Sequence, residues 1–298
     1  MMFHKSVLLK QSIEALSIRP EGIYVDLTFG GGGHSREILK HLKGGRLFAF
    51  DQDTNALKNI IPDQRITMIN SNFRFARNFL KLYKAVPVDG ILADLGVSSH
   101  QIDNPERGFS TRFEGELDMR MDQRRSLTAR EIINQYNEEK LTAIFRDYGE
   151  LINAKKIARL VASSRKEKEI RTTAGLKEVL SGCYEKGHDN KFFAQVFQAL
   201  RIETNQELEA LKEILLQSVD LLKQGGRIVI LAYHSLEDRL VKDFFRSGNF
   251  LGDIKKDFFG NPIIPLRAVN RKPIVAGEKE IAVNPRARSV RLRVAEKV

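Results

Sequence analysis

Apolar residues along this chain follow two alternating rhythms. Short runs rich in β-branched and aromatic residues predict strands at 23–29, 46–51, 66–70, 88–95 and 227–233. Between the early runs, apolar positions recur every three or four residues, as Ile38, Leu39 and Leu42 do after the first, and this predicts helices. Such alternation predicts a parallel sheet covered by helices on both faces. About 130 residues then separate DGILADLG from GRIVILAY, although a parallel crossover needs only about a dozen. That interval has few strand signals and several helical ones. Thr128 and Glu131 form a capping-box pattern before EIINQY, and periodic segments follow near 138–147, 153–163, 190–200 and 206–223, the last supplying the crossover helix. Together these patterns predict a doubly wound, Rossmann-like α/β domain made of residues 1–105 and 206–298, interrupted by an all-helical insertion at 106–205. HSLEDRLVKDFF has helical spacing, and SVRLRVAEKV alternates as a half-exposed strand does, which predicts a last hairpin at the sheet edge.

The first strand runs into four glycines, in YVDLTFGGGGHSREIL. Glycine permits positive φ and leaves no Cβ between backbone and ligand, and the free N–H groups of a helix start, here expected after Ser35 as N-cap, favour an anionic group. A Walker A loop is excluded, because His34 and Ser35 follow the last glycine where Lys and Ser or Thr would stand. The dinucleotide fingerprint is met at Gly30 and Gly32, but Ser35 replaces its third glycine. Asp51 ends the second strand about 20 residues beyond the turn, where such folds place the carboxylate that holds ribose hydroxyls, so the ligand is expected to carry an adenosine ribose. Ligands of open α/β sheets sit at the carboxyl ends of strands where strand order reverses, here expected between the first and fourth. Asp94 ends the fourth strand at that place. Tyr233, His234 and Ser235 end the fifth and are expected to face the same cleft.

Composition narrows the partners. A net charge of +11 and a pI near 9.7 point to a polyanion. From Arg267 onward nine Lys and Arg face only Glu278, Glu280 and Glu296, and a second basic group runs through Lys155, Lys156, Arg159, Arg165, Lys166, Lys168 and Arg171. Cys183 is the single cysteine, the start lacks a signal-peptide pattern, and the apolar runs are too short to cross a bilayer, so the cytoplasm is the expected compartment with no membrane partner. The six histidines, His4 among them, show no i,i+4 pair, so no metal is expected. No Gly-x-Ser-x-Gly elbow occurs either. What remains is group transfer from a nucleotide-like donor.

The segments VLLKQSIEAL, YVDLTFGGGGHS, AFDQD, DGILADLGVSSHQID, ERGFS, LDMRMD, FQALRIETNQELE, AYHSLEDR and NPRARS, in this order, closely resemble the MraW (RsmH) family of small-subunit rRNA cytosine-N4 methyltransferases. The resemblance covers essentially the whole chain. It implies a class I methyltransferase fold with an inserted helical domain, S-adenosylmethionine as donor, and a cytidine in the decoding region of 16S rRNA in the small ribosomal subunit as substrate. It also implies that Gly32, Gly33 and His34 meet the methionine part of the cofactor, that Asp51 takes the ribose, that Phe73 packs on the adenine, and that Asp94 and Gln101 complete the pocket. Arg107, Phe109, Arg201, Asn205, Arg286 and Arg288, in the quoted motifs, are the implied substrate contacts; no protein partner follows.

Other exocyclic-amine methyltransferases carry an acidic or amide residue followed by Pro-Pro-aromatic, whereas this chain has Asp94, Leu95, Gly96 and Val97. Asp94, with the Leu95 carbonyl, is the expected acceptor for the cytosine N4–H, and Tyr233 or His234 the expected holder of the base. Methylation at C5 would need a cysteine nucleophile, and Cys183 lies within the insertion. Two other readings stay open on the residues alone: a nicotinamide-dependent oxidoreductase, and a basic ribosome-assembly factor with a disused nucleotide fold.

Overall fold

Seven strands form one sheet in the computed structural model, which describes residues 6–298. They are β1 (Ile23–Asp26), β2 (Arg46–Phe50), β3 (Ile66–Ile69), β4 (Val88–Asp94), β5 (Leu222–Ala232), β6 (Leu266–Ala268) and β7 (Arg291–Lys297). Their order is β3-β2-β1-β4-β5-β7-β6, with β1 to β5 parallel and β7 antiparallel to both its neighbours. Strand order therefore reverses between β1 and β4, as expected. In β4 six of seven residues are buried, the signature of a central strand covered on both faces. Alternate residues feed two cores: Val25, Phe48 and Ile91 pack on one face with Ile214 and Phe244, while Tyr24, Leu47 and Leu92 pack on the other with Ile38 and Leu292.

Two details depart from the sequence reading. β1 stops at Asp26, three residues before the apolar run does. Residues two apart in a regular strand face the same neighbour, yet Leu27 N–H donates to Leu92 O while Phe29 N–H donates to Phe50 O, so regular pairing breaks just where the strand order reverses. The last two strands do pair antiparallel at the sheet edge, but the final strand is the inner one of the pair and is mostly buried rather than half-exposed. β7 enters between β5 and β6, with Ile230 opposite Arg293, and the three-residue β6 becomes the edge.

The chain divides into two compact units, Met1–Gly96 with Leu208–Val298 and Val97–Glu207. The first boundary thus falls at Gly96 rather than at residue 105. Ser98 and Gln101 close a reciprocal capping box on the helix Ser99–Asp103, and the 3-10 turn Pro105–Arg107 follows it at once, so this stretch folds with the second unit. The second unit is helical, with Ala129–Gln135, Glu138–Asp147, Ala154–Glu167, Thr173–Val179 and Asp189–Asn205 around its own core of Ile132, Phe145, Ile157, Val161 and Phe197. The Thr128–Glu131 box forms with both of its hydrogen bonds. Cys183 is buried in this unit, and burial pushes its thiol above the ordinary range, which makes it a poor nucleophile. Among the described residues no helix is long and apolar enough to cross a membrane.

β7 is held by charge as well as by its ladder. Arg293 grips the buried Asp238 with Nε at 2.6 Å and Nη2 at 3.1 Å, and Arg291 Nη1 adds a third bond at 2.9 Å. Burial raises the Asp238 carboxyl, but the two arginines outweigh it and hold the group below its usual range. Replacing Arg293 by Met leaves that carboxylate buried without its bidentate partner, so Arg293→Met is expected to cost about 3–5 kcal/mol, read as a shift of the urea transition of the sheet unit.

Candidate active site at the strand ends

The glycine turn is built differently from the sequence reading. Its helix begins at Gly33, with Gly32 as N-cap at φ 75° and Gly30 at φ 51°, both in the left-handed region. Ser35 is therefore not a cap. It lies fully buried in the first turn, where its hydroxyl donates to Asp26 Oδ2 at 2.6 Å. Asp26, which the sequence reading passed over, also accepts from Thr28 N–H at 3.1 Å, and burial pushes its carboxyl up against the pull of His34 and Ser35. The available signal was an aspartate inside the apolar run YVDLTF, a position that needs a partner. A Cβ on Gly32 would stand 2.8 Å from the Phe29 ring, one on Gly33 would run into Ser6, and one on Gly31 would meet nothing within 4 Å. Gly30, Gly32 and Gly33 thus serve the turn itself, and Gly31 borders open space.

Two strand-end carboxylates touch this turn, Asp51 at Gly30 and Asp94 at His34. Asp51 follows β2; its Oδ2 accepts from Gly30 N–H at 2.7 Å and its Oδ1 from Asp53 N–H at 2.8 Å. Burial pushes the Asp51 carboxyl up to about 6 in spite of those two bonds. Each oxygen retains a lone pair. Phe73 opens the 3-10 turn Phe73–Phe75 and packs, half-buried, against the core.

Asp94 closes β4. Its N–H donates to Thr28 Oγ1 at 2.6 Å, its Oδ1 accepts from the Tyr233 hydroxyl at 2.6 Å, and its Oδ2 lies 3.8 Å from His34 Nδ1. The Asp94 side chain is 23% exposed, so solvent or a ligand reaches it. Burial, then the Asp94 charge, holds the Tyr233 hydroxyl well above its ordinary pKa, so it stays a donor. His34 is buried and its Nε2 faces Val7 O at 3.2 Å, a contact that requires the Nε2–H tautomer. Burial pushes the His34 pKa down, leaving a neutral ring whose Nδ1 lone pair faces Asp94.

His234 and Ser235 follow Tyr233 at the start of the helix Ser235–Ser247. His234 Nε2 is 3.2 Å from Glu237 Oε1, and Glu237 also accepts from Tyr233 N–H at 2.8 Å, so this pair anchors the start of the helix Ser235–Ser247. Ser235 is the first residue of that helix.

Gln101 belongs to the second unit, where its amide oxygen accepts from Ser98 N–H at 2.9 Å. Arg107 is buried there, stacks at 5.7 Å over Phe109, and donates to the carbonyls of Arg120 and Met121. Asn205, also buried, accepts from Met121 N–H and donates to Met119 O, both at 2.7 Å. Arg107 and Asn205 are therefore not surface contacts for a substrate: they hold the 119–121 backbone, because a buried polar group must spend its bonds nearby. Arg201 pairs with Glu207 at 2.8 Å, and Phe109 packs half-buried on the helical core. Arg286 and the exposed Arg288 lie on the 3-10 turn Pro285–Ser289 of the first unit. Of the second basic group, Lys155, Lys166 and Lys168 face solvent, whereas Arg165 Nη1 donates to Ile133 O.

A doubly wound sheet with a glycine turn after β1 and carboxylates at the ends of β2 and β4 defines the class of nucleotide-binding α/β domains. Within that class the chain belongs to the MraW methylase family, whose model matches residues 1–298. It is similar to the ribosomal RNA small subunit methyltransferase H of Flavobacterium johnsoniae, 54% identical over 100% of this chain and 99% of that protein. The proteins of the same name from Cytophaga hutchinsonii and Bacteroides fragilis are 55% and 52% identical, each over 99% of this chain and 100% and 97% of their own lengths. A solved putative methyltransferase from Streptococcus mutans in complex with SAH aligns over 99% of this chain and 100% of its own at 12% identity and a TM-score of 0.43.

The glycines separate in a simple test. Gly32→Ala forces a side chain into the left-handed region against Phe29 and is expected to cost more than about 1 kcal/mol, whereas Gly31→Ala leaves the thermal unfolding of the ligand-free chain unchanged.

Proposed function

We propose that this chain transfers a methyl group from S-adenosylmethionine to the exocyclic N4 of a cytidine in the decoding region of small-subunit 16S rRNA. Beyond family membership, the observation that carries this reading is the Tyr233–Asp94 bond at the strand-order reversal, which holds a partly exposed carboxylate next to His34 of the glycine turn. The residues fit the cofactor. Both Asp51 oxygens keep capacity for ribose hydroxyls, Phe73 offers a half-buried ring for the adenine, and the Gly31 backbone leaves room for close approach next to Gly32, Gly33 and His34. When bound, the cofactor supplies an electrophilic methyl group on a sulfonium.

The protein's own part is positioning and proton handling. The cytosine N4 lone pair is delocalised into the ring and becomes nucleophilic when an acceptor takes its N–H. Asp94 Oδ2 is that acceptor, held in orientation by the Tyr233 hydroxyl on Oδ1, and the Leu95 carbonyl is the second. After transfer the proton leaves N4 for Asp94, with the His34 Nδ1 lone pair 3.8 Å beyond it. Alignment of base and methyl supplies much of the acceleration, and exclusion of water adds to it. The base must be presented unpaired. Arg286, Arg288 and the exposed lysines of the helical unit supply phosphate contacts, which makes that unit the substrate-recognition domain. Such a protein works beside ribosomal subunits in the cytoplasm.

The proposal is tested by single-turnover methyl transfer to small ribosomal subunits at saturating S-adenosylmethionine. Asp94→Ala is expected to lose nearly all activity and Asp94→Asn, which keeps one acceptor oxygen, to retain part of it; a wild-type rate for Asp94→Ala would remove Asp94 from the chemistry.

Asp51 gives a second, pH-dependent prediction. Asp51→Ala weakens cofactor binding by about 1–3 kcal/mol, the worth of a charged acceptor. Because the carboxyl titrates at about 6, protonation below that value removes an acceptor, so calorimetric affinity of the parent chain falls as pH drops through about 6. The Asp51→Ala chain lacks this dependence.

A further inference from the structure

Between the helix Ser235–Ser247 and β6 the chain makes a short excursion with its own internal bracing. Ile263 N–H donates to Lys255 O and Asp257 N–H to Asn261 O, both at 2.8 Å, and Lys256 bridges Pro262 in antiparallel fashion. The Asp257 carboxylate braces the tip, accepting from Phe259 N–H at 2.9 Å, Asn261 N–H at 2.8 Å and Asn261 Nδ2 at 3.1 Å. Gly260, at φ 86°, donates to Asp257 O and completes the turn. These bonds fix a tip whose outer residues are apolar.

Phe258 is 97% and Phe259 85% exposed, with ring centroids 5.6 Å apart and planes at 87°. Ile263, at the stem, adds exposed apolar surface. Large apolar side chains gathered on a braced protrusion mark an interaction site. The charge around them selects the partner. Lys255 and Lys256 are exposed at the stem, the exposed Asp257 is engaged by the turn's own N–H groups, and residues 246–298 carry twelve Lys and Arg against five Asp and Glu, which is seven of the chain's eleven net positive charges. Open aromatic faces on a cationic stem match single-stranded RNA, whose unpaired bases stack on rings while its phosphates meet lysines.

We propose that the Lys255–Ile263 hairpin is a separate RNA contact, at which Phe258 and Phe259 stack on unpaired nucleotides and Lys255 and Lys256 meet the backbone. The inference rests on the reading of rRNA as substrate. It places one contact outside the strand-end site, on a braced element whose ordering precedes binding.

The chain contains no tryptophan, so Phe258→Trp and Phe259→Trp each create a single fluorescent reporter at the tip. Titration of either full-length variant with a 12-nucleotide single-stranded RNA is expected to quench that emission, with a midpoint that weakens steeply with salt, and a duplex of the same sequence is expected to leave it unchanged. In the parent chain, the double change Phe258→Ala with Phe259→Ala is expected to raise the dissociation constant for purified small ribosomal subunits about 10-fold or more, with S-adenosylmethionine affinity unchanged and tryptophan at either position restoring subunit binding. Emission that ignores RNA overturns the proposal, as does emission that responds instead to anionic vesicles or to protein concentration, which would assign the tip to a lipid surface or a second copy. An alanine double variant that binds subunits as the parent does, while both methylate them, overturns the hairpin contact and leaves the rRNA reading standing. A parent chain that neither binds nor methylates subunits overturns both.

Discussion

Ser35, Asp26, Thr28, Asp94 and Tyr233 form a linked series of hydrogen bonds across the carboxyl end of the sheet. Asp26 accepts from the Ser35 hydroxyl and the Thr28 amide, Thr28 Oγ1 accepts from the Asp94 amide, and Asp94 accepts from the Tyr233 hydroxyl. The series ties the end of β1 to the first turn of the helix Gly33–His41, to the end of β4 and to the residue after β5. A carboxylate buried as deeply as Asp26 is costly without partners, so the chain's freedom at this end is limited to arrangements that satisfy it. The glycine turn follows from that limit: with Ser35 bonded back to Asp26, the backbone has to reverse through Gly30 and Gly32 in the left-handed region.

The same burial that fixes geometry sets protonation. Asp51 is pushed up to about 6, Tyr233 is held well above its usual value, and His34 is pushed down. All three shifts move toward the neutral form, as expected where strand ends enclose polar groups in a low dielectric. Perturbed groups gathered at a strand-order reversal are the physical mark of a functional site.

Much of this was legible in the sequence, for identifiable reasons. Buried parallel strands need continuous apolar runs, so β1 to β5 could be found from hydrophobicity alone, and the Thr128–Glu131 box is a local motif that tertiary packing left intact. Ser35 was misread because the local preference of serine for helix starts lost to a tertiary bond with Asp26. Arg107 and Asn205 were misread because a motif names a polar residue without saying where its hydrogen bonds go, and here they go to the backbone of Arg120, Met119 and Met121. Alternation predicted β7 as a strand but carried no information about its neighbours. Phe258 and Phe259 had no periodicity to draw notice, since a braced tip is neither helix nor strand.

The position of β7 bears on how the molecule comes into being. Because β7 fills the slot between β5 and β6 and brings Arg291 and Arg293 to Asp238, the β6 edge has no ladder to join until residues 291–297 are available. During vectorial synthesis, domains fold in the order they emerge. The helical unit, uninterrupted at 97–207, is complete long before that moment, while the sheet that surrounds it in sequence waits with one side of β5 unpaired. Through the last stretch of synthesis, from residue 207 to residue 291, the nascent chain is therefore a finished insertion carried by an unfinished host, and an exposed parallel strand edge is what a chaperone would meet.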